Sequence, residues 1–145
     1  MAEHAEGAAE VHATPAEVMA VVADFDAYPD WVPNLEQVEV LARDRRGRGT
    51  KVAFRLGTPW GEQAYTLAYR YQPRDAGMSW TYVEGTLDDL AGSYALEPAG
   101  DGATRVTYRL EVALGVPIPG FLLRQAARQV VRSALGDLKR RVESM

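Results

Sequence analysis

Between Gln37 and Leu114 the chain alternates apolar and polar residues with period two, and each interruption is turn chemistry. The runs are Val38 to Ala42, Thr50 to Leu56, Glu62 to Tyr71, Gly77 to Glu84, Gly92 to Glu97 and Arg105 to Leu114. They are separated by "RDRRGRG", "GTPWG", "QPRDAG" and "EPAGDGA". Separators this short join antiparallel neighbours in sequence order. A sheet with one apolar face must be covered. The element large enough to cover it is the closing segment "PIPGFLLRQAARQVVRSALGDLKRRVESM", which predicts a helix from Pro119 to Val142, about 35 Å long at the usual rise. Leu123, Ala127, Val130, Ala134, Leu138 and Val142 form its apolar stripe, widened by Phe121, Val131 and Leu135. Arg124, Arg128 and Arg132 are read as a solvated edge.

Upstream of the alternating region, "AAEVHA" reads as a short first strand. "TPAEVMAVVADF" then carries a helix start: Thr14 caps, Pro15 takes the first helical position, and Glu17 completes a capping box. Pro29 and Pro33 prevent its continuation, so "DAYPDW" predicts a second short helical turn. The expected architecture is α+β: one strand, two short helices, six more strands making a curved antiparallel sheet of seven, and a long C-terminal helix over the concave face. No repeat or linker divides the chain, which reads as a single domain over residues 1–145.

Strand parity assigns the inner face. Val52, Phe54 and Leu56 share one side of their strand; so do Tyr65, Leu67, Tyr69 and Tyr71; Met78, Trp80, Tyr82 and Glu84; Tyr94 and Leu96; and Val106, Tyr108, Leu110 and Val112. Six of the seven tyrosines lie on strands with this inner parity. A buried phenol without a partner costs about 1–3 kcal/mol, and a dry core is built more cheaply from Leu, Ile or Phe. The pattern therefore favours a cavity for an apolar, partly oxygenated molecule, against the plainer reading that tyrosines simply suit strands. The expected lining is Phe54, Tyr65, Leu67, Tyr69, Trp80, Tyr82, Tyr94, Tyr108 and Leu110 from the sheet, with Leu123, Ala127 and Val130 from the last helix. Tyr28 and Trp31 of "FDAYPDWVP" form the rim. Glu84 shares the parity of Trp80 and Tyr82. Desolvated beside those rings it would be a candidate acid or base; the preferred reading, supported by the Gly85 that follows, is a solvated residue at the mouth.

Composition excludes other chemistries. The 145 residues contain no cysteine and two histidines, His4 and His12, so thiolate catalysis is ruled out and no metal site or cofactor is expected. The formal net charge is -4, which argues against nucleic acid as a partner. Apolar runs are too short for a transmembrane helix, and the N-terminal segment lacks the pattern of a signal peptide, so a soluble, cytoplasmic protein is expected. The basic hairpin from Arg43 to Lys51 reads as a solvated turn.

Three segments, "ATPAEVMAVVADFDAYPDWVPNLEQVEVL", "WTYVEGTLDDLAGSYALEPAGDGATRVTYRLEVAL" and "IPGFLLRQAARQVVRSALGDLKRRVES", together resemble the polyketide cyclase/dehydrase and lipid-transport family of the START-like, helix-grip superfamily. The resemblance covers nearly the whole chain. It implies a seven-stranded sheet gripping the last helix, with a pocket between them that binds a hydrophobic ligand such as a lipid, quinone or polyketide. For some members it implies a metal-independent aromatase/cyclase acting on a polyketide held by an acyl carrier protein. Those enzymes use pocket arginines and tyrosines; here Arg55, Arg70 and Arg109 have outward parity, which favours binding over catalysis.

Overall fold

The computed structural model describes residues 3–59, 61–114 and 117–145. Strand β1 spans Glu3–Val11, longer than its weak alternation suggests. Helix α1 (Pro15–Val22) follows, then a 3-10 helix, Phe25–Asp30. Strands β2 (Leu35–Arg43), β3 (Gly49–Thr58), β4 (Gly61–Tyr71), β5 (Gly77–Gly85), β6 (Asp89–Gly100) and β7 (Ala103–Ala113) precede helix α2, Gly120–Glu143. Every pairing is antiparallel, and the sheet order is β1-β7-β6-β5-β4-β3-β2. The first strand thus pairs with the last, while β2 forms the far edge.

The start of α1 follows the expected chemistry. Thr14 Oγ1 accepts from the Glu17 amide, and the Glu17 carboxylate accepts from the Thr14 amide at 3.0 Å, satisfying donors that the helix cannot pair internally. The 3-10 helix folds back against α1 because the Tyr28 hydroxyl donates to the Val22 carbonyl.

Helix α2 lies chiefly over β1, with β7 beneath its flank. The reason is the inner face of β1, which presents Ala5, Gly7 and Ala9 opposite Leu110, Tyr108 and Val106. A Cβ on Gly7 would sit 2.8 Å from Val131 Cγ1 and 3.2 Å from Leu135 Cδ1, so the helix rests directly on the strand backbone. Polar clamps fix its position. Lys139 Nζ donates to the Glu10 carbonyl at 2.7 Å, the His12 amide donates to the Glu143 carboxylate at 2.9 Å, and Arg124 pairs with Glu3 at 2.8 Å.

The buried stripe of α2 is Leu123, Ala127, Val131, Leu135, Leu138 and Val142. Val130, expected in that stripe, is instead 47% exposed. Both valines fit a helical period, and the helix turns so that Val131 meets Gly7. Phe121, expected to widen the stripe, is also exposed.

Candidate functional site

With α2 displaced over one edge, aromatic rings fill the concave face of β3 to β7. Phe54, Leu67, Tyr69, Trp80, Tyr94, Tyr108 and Leu110 are buried, and Tyr65 and Tyr82 are partly so. The rings form a connected series. Phe25 lies 4.6 Å from Tyr69 and 5.1 Å from Tyr28; Tyr69 lies 5.9 Å from Trp80; and Trp80 is 5.5 Å from both Tyr94 and Tyr108, which are 4.9 Å apart. Tilted and edge-on arrangements of this kind match the ring quadrupoles. Trp80 lies flat across Gly92: a Cβ there would come within 2.5 Å of the indole, so this glycine provides the room for the largest side chain of the site.

The phenols divide into two groups. Those of Tyr28, Tyr71 and Tyr82 are committed to structure. Tyr71 donates to the Gly49 carbonyl at 2.6 Å and Tyr82 to the Leu87 carbonyl at 2.8 Å, while Tyr28 holds Val22. The hydroxyls of Tyr65, Tyr69, Tyr94 and Tyr108 have no hydrogen-bond partner among the described residues. They are not among the fully sealed unpaired polar atoms either; among the described residues that condition is met by Trp31 Nε1.

Burial pushes the Tyr65 phenol up to about 12. It raises Tyr69, Tyr94 and Tyr108 well above the usual phenol value. Neighbouring phenols add to the shift: Tyr65, Tyr108 and Tyr94 for Tyr69, and Tyr94 and Tyr65 for Tyr108. The hydroxyls therefore stay protonated, as donors for an incoming oxygen.

Glu84 is not in this group. At the β4–β5 pairing Thr66 faces Glu84 but Leu67 faces Tyr82, so Val83 is an extra residue and the strand's parity inverts. Glu84 is exposed on the convex face, where it lines a hollow of ≈360 Å³ with Glu39, Arg55 and Thr66. Parity alone had put it beside Trp80 and Tyr82, and the bulge overturns that placement. Arg55 and Arg109 pair on the outer side with Glu62 and Glu6, as parity predicted.

Leu123 and Ala127 belong to the helix stripe packed on the sheet, and Tyr28 and half-buried Trp31 sit together at 5.2 Å beside Phe54. One group escaped the sequence reading. Asp137 of α2 has a side chain only 13% exposed, and its carboxylate contributes to raising the Tyr94 phenol, after burial and Tyr28. Its position three residues after Ala134 places it beside the apolar stripe, which is the signal that could have found it. Among the described residues no cluster of His, Asp and Glu suits a metal ion, and no helix is long and apolar enough to cross a membrane.

The family model described as polyketide cyclase / dehydrase and lipid transport matches residues 11–139. The chain belongs to this family. The fold is shared with solved structures of low sequence identity. A START superfamily protein from Mycobacterium smegmatis superposes with a TM-score of 0.89 at 22% identity, covering 97% of each chain. The Zhui aromatase/cyclase of a Streptomyces species gives 0.76 at 17% identity, covering 99% of this chain and 94% of that one. A STAR-related lipid transfer protein from Xanthomonas axonopodis gives 0.72 at 19% identity, covering 97% and 85%. No curated protein matches the chain. The family reading thus spans ligand carriage and cyclisation.

Proposed function

We propose that this family member binds one apolar, partly oxygenated small molecule, such as a quinone, lipid or polyketide, against the concave aromatic face between the sheet and α2. The observation that carries this is the set of four phenols on the concave face, Tyr65, Tyr69, Tyr94 and Tyr108, that no protein group satisfies among the described residues. A guest that covers the rings gains from apolar burial, and its few oxygens accept from the phenols. Neutral phenols hold and orient a guest. The second reading, an aromatase/cyclase, is favoured by the likeness to the Zhui enzyme. Under that reading the same phenols orient carbonyls of a chain delivered by an acyl carrier protein.

Titration of tryptophan emission with a quinone, a long-chain alcohol and an aromatic polyketide tests the binding reading. At least one should change the emission and raise the melting temperature, since ligand at a hundred times its dissociation constant stabilises by about 2.7 kcal/mol. Trp80→Phe should remove most of the emission change. Glu84→Gln, on the opposite face, should leave affinity unchanged. A panel in which no compound alters emission or melting would defeat the proposal. Turnover of a carrier-bound polyketide would favour the cyclase.

A further inference from the structure

The hollow on the convex face is built by strand register. Glu39, Ala53, Thr66 and Glu84 stand in one row across β2, β3, β4 and β5, each paired with the next. The two middle positions carry small side chains and the two outer ones carboxylates, so the row is a trough with acidic ends, ≈360 Å³ in volume. Adjacent strands lie about 4.7–4.9 Å apart, which sets the Cα atoms of Glu39 and Glu84 about 14 Å from each other. Ala64 widens the floor, and Arg55, which also lines the hollow, is engaged with Glu62 at 3.5 Å. Glu39 and Glu84 are both exposed, and neither has a hydrogen bond or ion pair among the described residues. Thr66 lies between them and is only 7% exposed, although its face of the sheet is turned to solvent. Its hydroxyl has no hydrogen-bond partner among the described residues, and it is not among the sealed unpaired atoms, so it opens into the trough. A hydroxyl so deeply set and left unpaired is costly.

We infer that this trough binds a linear aliphatic polyamine, with a terminal ammonium on each of Glu39 and Glu84 and an internal amine donating to the Thr66 hydroxyl. The site lies across the sheet from the aromatic face and stands independently of the binding reading above. Its unspent groups are two carboxylates, which only accept, and a hydroxyl, which can accept; an alkylammonium only donates. The methylenes between the nitrogens cover the Ala53 and Ala64 methyls and the Thr66 methyl. A compact metal ion does not reach both carboxylates across three strand spacings, and a monoamine uses one end alone. Each exposed ion pair is weak by itself. Selectivity therefore comes from the tether: once one end is held, the other meets its carboxylate at high effective concentration.

The test is isothermal titration calorimetry at low ionic strength with spermidine, butylamine and 1,8-diaminooctane, which matches spermidine in length but lacks the internal nitrogen. The wild type should bind spermidine about tenfold or more tightly than butylamine. Glu39→Gln and Glu84→Gln alter exposed side chains, and each should weaken spermidine by about threefold to tenfold. Thr66→Val keeps the shape and removes the hydroxyl; it should weaken spermidine by about threefold or more and leave 1,8-diaminooctane unchanged. Glu97→Gln removes the same charge from β6 and should change nothing. Equal binding of spermidine and butylamine by the wild type overturns the site, as does weakening by only one of the Glu39 and Glu84 substitutions. Equal weakening by all three glutamate substitutions means attraction to net charge alone and overturns it too. A Thr66→Val chain that weakens both long amines alike, or neither, overturns the internal contact. None of these outcomes bears on the tryptophan-emission test of the aromatic face.

Discussion

Two adjacent valines on α2 should respond oppositely to the same substitution. Val131 is 3% exposed, and its Cγ1 lies where a Cβ on Gly7 would come within 2.8 Å. Val131→Asp forfeits the burial of a valine side chain, about 1.5–3 kcal/mol. It also places a carboxylate against strand backbone and Leu135, where an unpaired polar group costs at least about 2 kcal/mol and a charge more. The sum, about 4 kcal/mol or more, is a large part of the 5–15 kcal/mol typical of a whole domain. Val130 is 47% exposed, and Val and Asp have similar helix propensities. Val130→Asp should therefore cost less than about 1 kcal/mol. In a thermal melt followed by far-ultraviolet circular dichroism, Val130→Asp should stay within a few degrees of wild type. Val131→Asp should fall by at least about 10 °C or lose its transition. Variants that melt within about 3 °C of each other, or a Val130 variant that is the worse, would refute the packing of α2 on β1.

The phenols set the alkaline limit. Tyr65 and Tyr71 are raised to about 12 and Tyr28, Tyr69, Tyr94 and Tyr108 well above their ordinary value of 10.0, in each case chiefly by burial. A raised folded-state value makes its stabilisation complete below the unfolded value and lost as pH rises. Stability should thus hold up to about pH 10 and decline between about 10 and 12, with tyrosinate absorbance near 295 nm rising together with loss of circular dichroism; six phenols titrating near pH 10 in the folded protein would contradict this. Gly92→Ala should displace the Trp80 indole, shift its emission and cost about 1–3 kcal/mol, because the new methyl would also sit 2.6 Å from the Arg109 carbonyl; an unchanged spectrum and melt would show that the ring does not lie there.

Local sequence was enough for the parts governed by local physics. The Thr14–Glu17 capping box, the proline-limited turn and the inner parity of Tyr69, Trp80, Tyr94 and Tyr108 all follow from spacing within one element. Three features depend on contacts between elements and were not legible. Glu84 changed face because one extra residue sits between two paired strands, and nothing in "TYVEGT" marks which residue is extra. The phase of α2 was ambiguous because Val130 and Val131 both fit the period, and the choice was made by a glycine more than a hundred residues away. The shielding of the Asp137 side chain, only 13% exposed beside Arg140, depends on where α2 packs, of which its place three residues after Ala134 is no more than a hint.

The run Ala5, Gly7, Ala9 on β1 has a consequence for how such a molecule could be retuned. None of these residues belongs to the aromatic series, yet they determine how deeply α2 settles and so how far it stands from Trp80 and Tyr94. A thicker edge strand would lift the helix like a shim under a beam and widen its separation from the remaining strands, with every aromatic ring unchanged. The stand-off of α2 from the aromatic face is thus adjustable from a strand that contributes no ring to it.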